Sequence, residues 1–491
     1  MVQSVMPEPA LARGREGSPG LREAVLAGPG GVVDVGERSA SGALSLLTDP
    51  ETVWSRLDGC GYTDRRRRVL TGAATMLVVL GLCLFRREGY DLVLARMAAA
   101  LPGMFIAGPP TAQALSPARV RLGEAPMREL FTATAAAALP DTSAARVFGF
   151  MVTAFDGTVM DLAASDENVE AFQVPSGGRY PQVRLVTLVA CGSRWQLAAA
   201  MDSARISEQE LVDRLEHALG PGMLNLADRN FFSMHRWVRF AGTGAELAWR
   251  VKNSHHSLPG KIIEVLPDGS SLVRLRESDS MLSRRRTRAG NRRLARLPDT
   301  IARLVEFTVT TTDPRGRTRT SRFRVLTTLL DHEAYPADQI AAVYAQRWQA
   351  EVAYYQLKVT LRGAATRLRA HTAEAARQEI WALLTVYNLL IDVAIRTAVD
   401  LGIEPNEISF TAVLAHTRAM LAAATPCPGC GHQPQPTETV LAAVAAHPRN
   451  RTSRHRQSPR TKAQRHTERT RKVTYTIEIT TSNLPKVDEC P

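Results

Sequence analysis

Apolar residues recur at Val69, Leu70, Ala73, Leu77 and Leu80 behind Thr63, the spacing of one helix face. Asp49-Pro50 reads as a cap and first-turn pair, and Ser116-Pro117 and residues 127–138 suggest a further helical pair. The texture changes at Arg146. Val147, Phe148, Phe150, Met151, Val152 and Phe155 form an apolar run ended by Asp156-Gly157, the pattern of a buried strand running into a turn. Strands are expected at 183–191 and 195–200, then a helix over 207–219 with Ser207 as cap and Glu210 completing a capping box. Residues 223–227 are a short apolar strand closed by Asp228. Two hairpins follow, 261–265 with 271–275 and 305–311 with 321–329, each joined by a Pro, Asp and Gly turn. Helix returns near Pro336 and continues, with breaks, to Leu401.

Strands alternating with helices indicate an α/β protein, and 491 residues are too many for one ordinary core. The expected order is a flexible Gly, Pro and Glu-rich leader at 1–42 and a small all-α domain at 43–140. An α/β domain then comes in two parts, 141–245 and 336–424, separated by a mostly β insertion at 246–335. A basic, disordered tail at 425–491 ends the chain.

Charge narrows the partners. The net charge is +13 with a pI of about 9.9, and such a surplus favours a polyanion, nucleic acid first. The basic residues cluster at Arg65, Arg66, Arg67 and Arg68, at 284–296 and at 449–472, and clustering of this kind marks contact with nucleic acid. The apolar stretches 69–85 and 380–399 read as buried helices and not as membrane spans, since the first is short and the second contains Asn388, Asp392 and Arg396. Glu8, Glu16 and Glu23 break the leader, and no signal peptide is visible. The scattered cysteines suit a reduced cytoplasmic setting. Cys427 and Cys430, with His432, make at most half a zinc site, and a free-thiol loop fits them better.

Metal-assisted phosphodiester chemistry needs hard oxygen ligands converging from different elements. Asp156 and Asp228 stand at expected strand ends, where an Asp is ordinarily a turn residue, and Asp161, Asp166 and Asp202 compete for the role. A third element adds weight. On one continuous helix, Tyr344, Arg347, Glu351 and Lys358 project within roughly 60° of each other, with Trp348, Val352, Tyr355 and Val359 as the docking stripe beside them. An ordinary surface row with an Arg347 to Glu351 ion pair has the same spacing.

The spacing of Tyr344, Arg347, Glu351 and Lys358 resembles the signature of the insertion-sequence-4-type DDE transposases of bacteria. Residues 154–158 and 226–232 resemble that family's two aspartate segments, 180–184 and 249–252 are also similar, and the likeness spans about 43–401. Asn230 departs from the pattern, where glycine is common. The resemblance implies an RNase H-like catalytic domain with a β insertion before the glutamate. Asp156, Asp228 and Glu351 would hold two Mg²⁺ or Mn²⁺ ions, which serve cleavage of transposon ends and transfer of the 3′ hydroxyls into target DNA. Tyr344, Arg347 and Lys358 would hold phosphates. Double-stranded DNA, as terminal inverted repeats and as target, is the implied partner, bound by a homodimer near the nucleoid. Arg65 to Arg68 and Trp249 are further DNA-contact candidates, although a buried role suits Trp249 better. A nuclease without strand transfer, or a decayed transposase that only binds DNA, are the alternatives.

Overall fold

The computed structural model describes residues 62, 64, 69–101, 105, 110–136, 146–253, 258–312, 316–363, 367–423, 436–446, 474–482 and 484–486. All of these lie in one compact unit, 41–491. The leader, Arg65 to Arg68, Cys427, Cys430, His432 and the basic run 449–472 lie outside the described residues.

Four helices open the described chain: α1 (Gly72–Leu84), α2 (Tyr90–Ala100), α3 (Ala112–Leu122) and α4 (Ala125–Ala136). Thr71 caps α1, accepting a hydrogen bond from the Ala74 N–H at 3.2 Å. Every residue of α1 is buried, so it is a core helix and not an amphipathic surface one.

The sheet begins with β1 (Arg146–Val147), β2 (Phe150–Asp161), β3 (Gln182–Ala190) and β4 (Gln196–Ser203), with α5 (Asp166–Phe172) after β2. α6 (Glu208–Asp213) leads to β5 (Met223–Ala227), and α7 (Met234–Ala241) leads to β6 (Glu246–Arg250). β2, β3 and β4 are antiparallel, whereas β5 pairs with β2 and β6 with β5 in parallel. The parallel ladder between β2 and β5 ends at Ala154 opposite Leu226, two residues short of Asp156 and of Asp228. β2 itself does not stop at Asp156-Gly157 as expected. The antiparallel partner β3 carries it on to Asp161, with Asp156 opposite Thr187.

The expected β insertion supplies β7 (Gly260–Val265), β8 (Ser271–Leu275), β9 (Thr300–Thr312) and β10 (Thr318–Thr327), with α8 (Asp279–Ala289) between β8 and β9. Both hairpins form. The insertion, 246–335, does not stand apart, because β6 at its start pairs in parallel with β5, and β10 pairs with β6 and extends the same sheet in the order β4-β3-β2-β5-β6-β10-β9-β8-β7.

Residues 474–480 form β11 (Thr474–Thr480), antiparallel to β9 from Thr312 to Glu306. The tail is therefore not wholly disordered as expected. Ile477 and Ile479, alternating with Thr476, Glu478 and Thr480, pack on the core, the two-residue period of a half-buried strand.

α9 (Ala337–Ala345), α10 (Trp348–Tyr355) and α11 (Ala373–Leu401) lie over one sheet face, followed by α12 (Phe410–Ala423) and α13 (Pro436–Ala445). α11 is long and apolar enough to cross a membrane, but 89% of its most apolar window is buried inside the protein. Asn388 within it accepts from the Gln196 N–H and donates to the Gln196 carbonyl, both at 2.9 Å, and so completes the edge of β4. The N-terminal helices share this core. Arg119 donates to Gln378 at 3.1 Å and to the Ala375 carbonyl at 2.7 Å, and buried Arg86 pairs with Glu379. The helical region is thus welded to α11.

Candidate active site

Strand alternation decides which way the aspartates face. Val152 and Ala154 of β2, and Leu224 and Leu226 of β5, belong to the core on the α9 to α11 side. Asp156 and Asp228 share their parity and emerge on that side, each just past the parallel ladder. Phe155, Ala227 and Trp249 belong to the opposite core, under α6 and α7. Trp249 is fully buried there, donates to the Asn225 side chain at 2.9 Å and packs edge-on to Trp237 and Phe240. The DNA-contact role considered for Trp249 is therefore replaced by a core role, on the face away from the acids.

The helix expected to run unbroken through Tyr344, Arg347, Glu351 and Lys358 is interrupted twice. α9 stops at Ala345, a turn at 346–347 starts α10, and a π-helical turn occupies Gln356–Leu361. The docking stripe differs accordingly. Ala350, Ala353, Tyr354, Leu357 and Leu361 face the core, while Tyr355 is 52% exposed. Two alanines let α10 approach the sheet closely, and the Tyr354 hydroxyl reaches the Asp156 carbonyl and the Thr187 hydroxyl, each at 2.9 Å. Sequence spacing gave no sign of Tyr354, since one residue of slip changes the buried stripe.

Two of the four signature residues nevertheless touch the aspartate segments, and the other two pair with each other. The Tyr344 hydroxyl donates to the carbonyl of Ala227, next to Asp228, at 3.3 Å. Arg347 pairs with Glu351 at 2.7 Å. Lys358 donates to the Thr158 hydroxyl at 2.6 Å, two residues past Asp156.

Electrostatics tie the cluster together. Burial pulls the Arg347 guanidinium down, but Tyr344, Asp228, Glu351 and Asp156 around it outweigh that and raise it. Burial pushes the Asp156 carboxyl up to about 7, against the pull of Arg347 and the Gly157 N–H, with Glu351 and Glu208 adding to the rise. Burial likewise raises the Tyr344 hydroxyl to about 12. Burial, then Arg362, lowers Lys358, against the pull of Asp161 and Asp156. Arg250, one residue past the pairing of Ala227 with Trp249, lies 4.2 Å over the Phe323 ring and feels Asp228. It is a cation that the sequence reading did not single out.

The acids are all hard-oxygen donors, and the raised Asp156 marks a place where added positive charge would be stabilising. In chemistry the set fits a divalent cation. In spacing, among the described residues, no three acidic, His or Cys side chains are gathered closely enough to hold one ion, since Glu351 is turned onto Arg347.

Residues 38–132 match the family described as insertion element 4 transposase N-terminal, and residues 148–389 match the transposase DDE domain. The chain belongs to the insertion-sequence-4-type DDE transposases. This transposase is 28% identical over 379 residues to the transposase InsG for insertion sequence element IS4 of Escherichia coli (strain K12), covering 75% of this chain and 80% of that one. It also aligns with a cryo-EM structure of piggyBac transposase in a synaptic complex with hairpin DNA. There the TM-score is 0.40 and the identity 9%, over 82% of this chain and 85% of that one. As a transposase it acts on DNA, and its family generally uses divalent metal ions.

Proposed function

We propose that this transposase binds the ends of an insertion sequence, hydrolyses a phosphodiester at each end and transfers the freed 3′ hydroxyls into target DNA. Asp156, Asp228 and Glu351 are its metal ligands in this proposal. The observation that carries the reading is one guanidinium, Arg347, lying in the field of all three acids. The antiparallel β2, β3 and β4 beside the parallel β2, β5 and β6 support an RNase H-like catalytic sheet.

Two Mg²⁺ or Mn²⁺ ions, when bound, supply charge stabilisation for the attacking and leaving oxygens. The chain's own side chains do the rest. Tyr344 and Tyr354 fix the backbone beside Asp228 and Asp156 through their carbonyl contacts. Arg347, once it exchanges Glu351 for a DNA phosphate, gives a fork-shaped contact and frees the carboxylate. Lys358 and Arg250 flank the acids as further phosphate cations. Holding two transposon ends together calls for a homodimer in a synaptic complex.

The test is transfer of a labelled transposon 3′ end into a target plasmid with Mg²⁺. Cleavage and joining are expected. Cleavage without joining would make the protein a nuclease, and end binding without nicking would make it a DNA-binding relic.

A further inference from the structure

Hydrogen bonds of the β2–β5 ladder stop at Ala154 and Leu226, so no ladder fixes Asp156 to Asp228. What spans the gap is the start of α6. Ser207 caps this helix, accepting from the Glu210 N–H at 3.2 Å, and so orients the next two side chains. Gln209 Nε2 donates to the Asn230 carbonyl at 2.8 Å and to its side-chain oxygen at 3.0 Å. Asn230 Nδ2 in turn donates to Glu208 Oε2 at 3.3 Å. The other oxygen, Glu208 Oε1, lies against Gly157, where a Cβ would come within 2.8 Å of it. Two adjacent side chains therefore grip the loop after Asp228 and abut the residue after Asp156.

We propose that Glu208, Gln209 and Asn230 form a brace that sets the separation of Asp156 from Asp228, and through it the divalent-ion affinity of the site. This deepens the proposed metal site and rests on it. These are positioning residues and not ligands. Glu208 meets Gly157 from the α6 face of the sheet, whereas Asp156 emerges on the α10 face. Its part is to accept a hydrogen bond and fill space, which a neutral amide does as well. The brace also gives a physical role to Asn230, since glycine there has no side chain to share with α6.

Mn²⁺ binding to the full chain, followed by electron paramagnetic resonance without DNA, tests this apart from catalysis. Asn230→Gly and Glu208→Ala are expected to weaken Mn²⁺ about tenfold, with thermal midpoints within a few degrees of the parent. Glu208→Gln, which keeps the acceptor and removes the charge, is expected to stay within about threefold. Equal losses for Glu208→Gln and Glu208→Ala would make Glu208 a charge-bearing ligand and overturn the brace, and so would unchanged affinity in Asn230→Gly and Glu208→Ala. Asp156→Asn separates the two ideas. If it binds Mn²⁺ as the parent does, the metal-site reading itself has failed.

Discussion

The hydroxyl of Tyr344 donates to the carbonyl of Ala227 across 3.3 Å, and so joins the helix that leads into Arg347 to the strand that ends just before Asp228. Segments more than a hundred residues apart in sequence are held in register at the site by this buried contact. Tyr344→Phe removes only the hydroxyl. Reduced nicking with nearly unchanged DNA binding is expected from steady-state assays of a labelled transposon end, whereas an unaltered rate would show that the contact does not position Asp228.

Arg347 is the cation shared by the acids, and its loss should be more costly than that of a surface arginine. Arg347→Ala is expected to lower the nicking rate on the order of 100-fold, the scale for removal of one charge-stabilising donor. Arg347→Lys should recover only part, because an ammonium lacks the planar fork. Equal activity of Lys and Arg at this position would count against a bidentate phosphate contact.

Asp156 has a pH signature in the absence of divalent ions. Its native carboxyl is raised to about 7 from an ordinary value of 3.8, burial being the largest cause. The folded state therefore holds the proton more tightly than the unfolded one, and stability falls as pH rises between those values. Asp156→Asn should melt at a higher temperature than the parent at pH 8, and the difference should vanish near pH 4. Calorimetry at both pH values checks this. A parent that melts at or above Asp156→Asn at pH 8 would contradict it.

Trp249 is a core residue here. Trp249→Ala is expected to cost about 3 to 5 kcal/mol of stability, the usual range for emptying a buried aromatic site. Trp249→Phe loses the bond to Asn225 and should lower the melting point while leaving end binding per folded molecule intact. Weaker DNA binding at an unchanged melting point would return Trp249 to the DNA interface.

β11 gives a test of the tail. Every second amide hydrogen across 476–480 should exchange slowly, as a donor in the antiparallel ladder with β9, while an unstructured tail would exchange all of them at the rate of a free peptide.

Much of this was legible in the sequence because it rests on local period. The apolar runs of β2 and β5 mark the strands, and the parity of strand residues puts Asp156 and Asp228 on one face. The helix expected from Tyr344 to Lys358 is broken, yet Tyr344 and Lys358 still contact the aspartate segments. The turn at 346–347 and the π turn at Gln356–Leu361 were invisible because no proline or glycine marks them. Tyr354, Arg250 and Glu208 were missed for a different reason. Each acts through a partner distant in sequence, Asp156, Phe323 and Gly157 respectively, and no spacing rule reaches that far. Residues 474–480 were overlooked because a basic run precedes them, although the β-branched alternation was in plain view.

Convergence of Asp156, Asp228 and Glu351 on shared divalent ions is most directly tested by Fe²⁺ substituted for Mg²⁺, with peroxide and ascorbate to cut the backbone beside the bound ion. Cuts clustered near residues 156, 228 and 351, and suppressed by excess Mg²⁺, are the expected result. Cutting that omits any one of these three positions would contradict a common site.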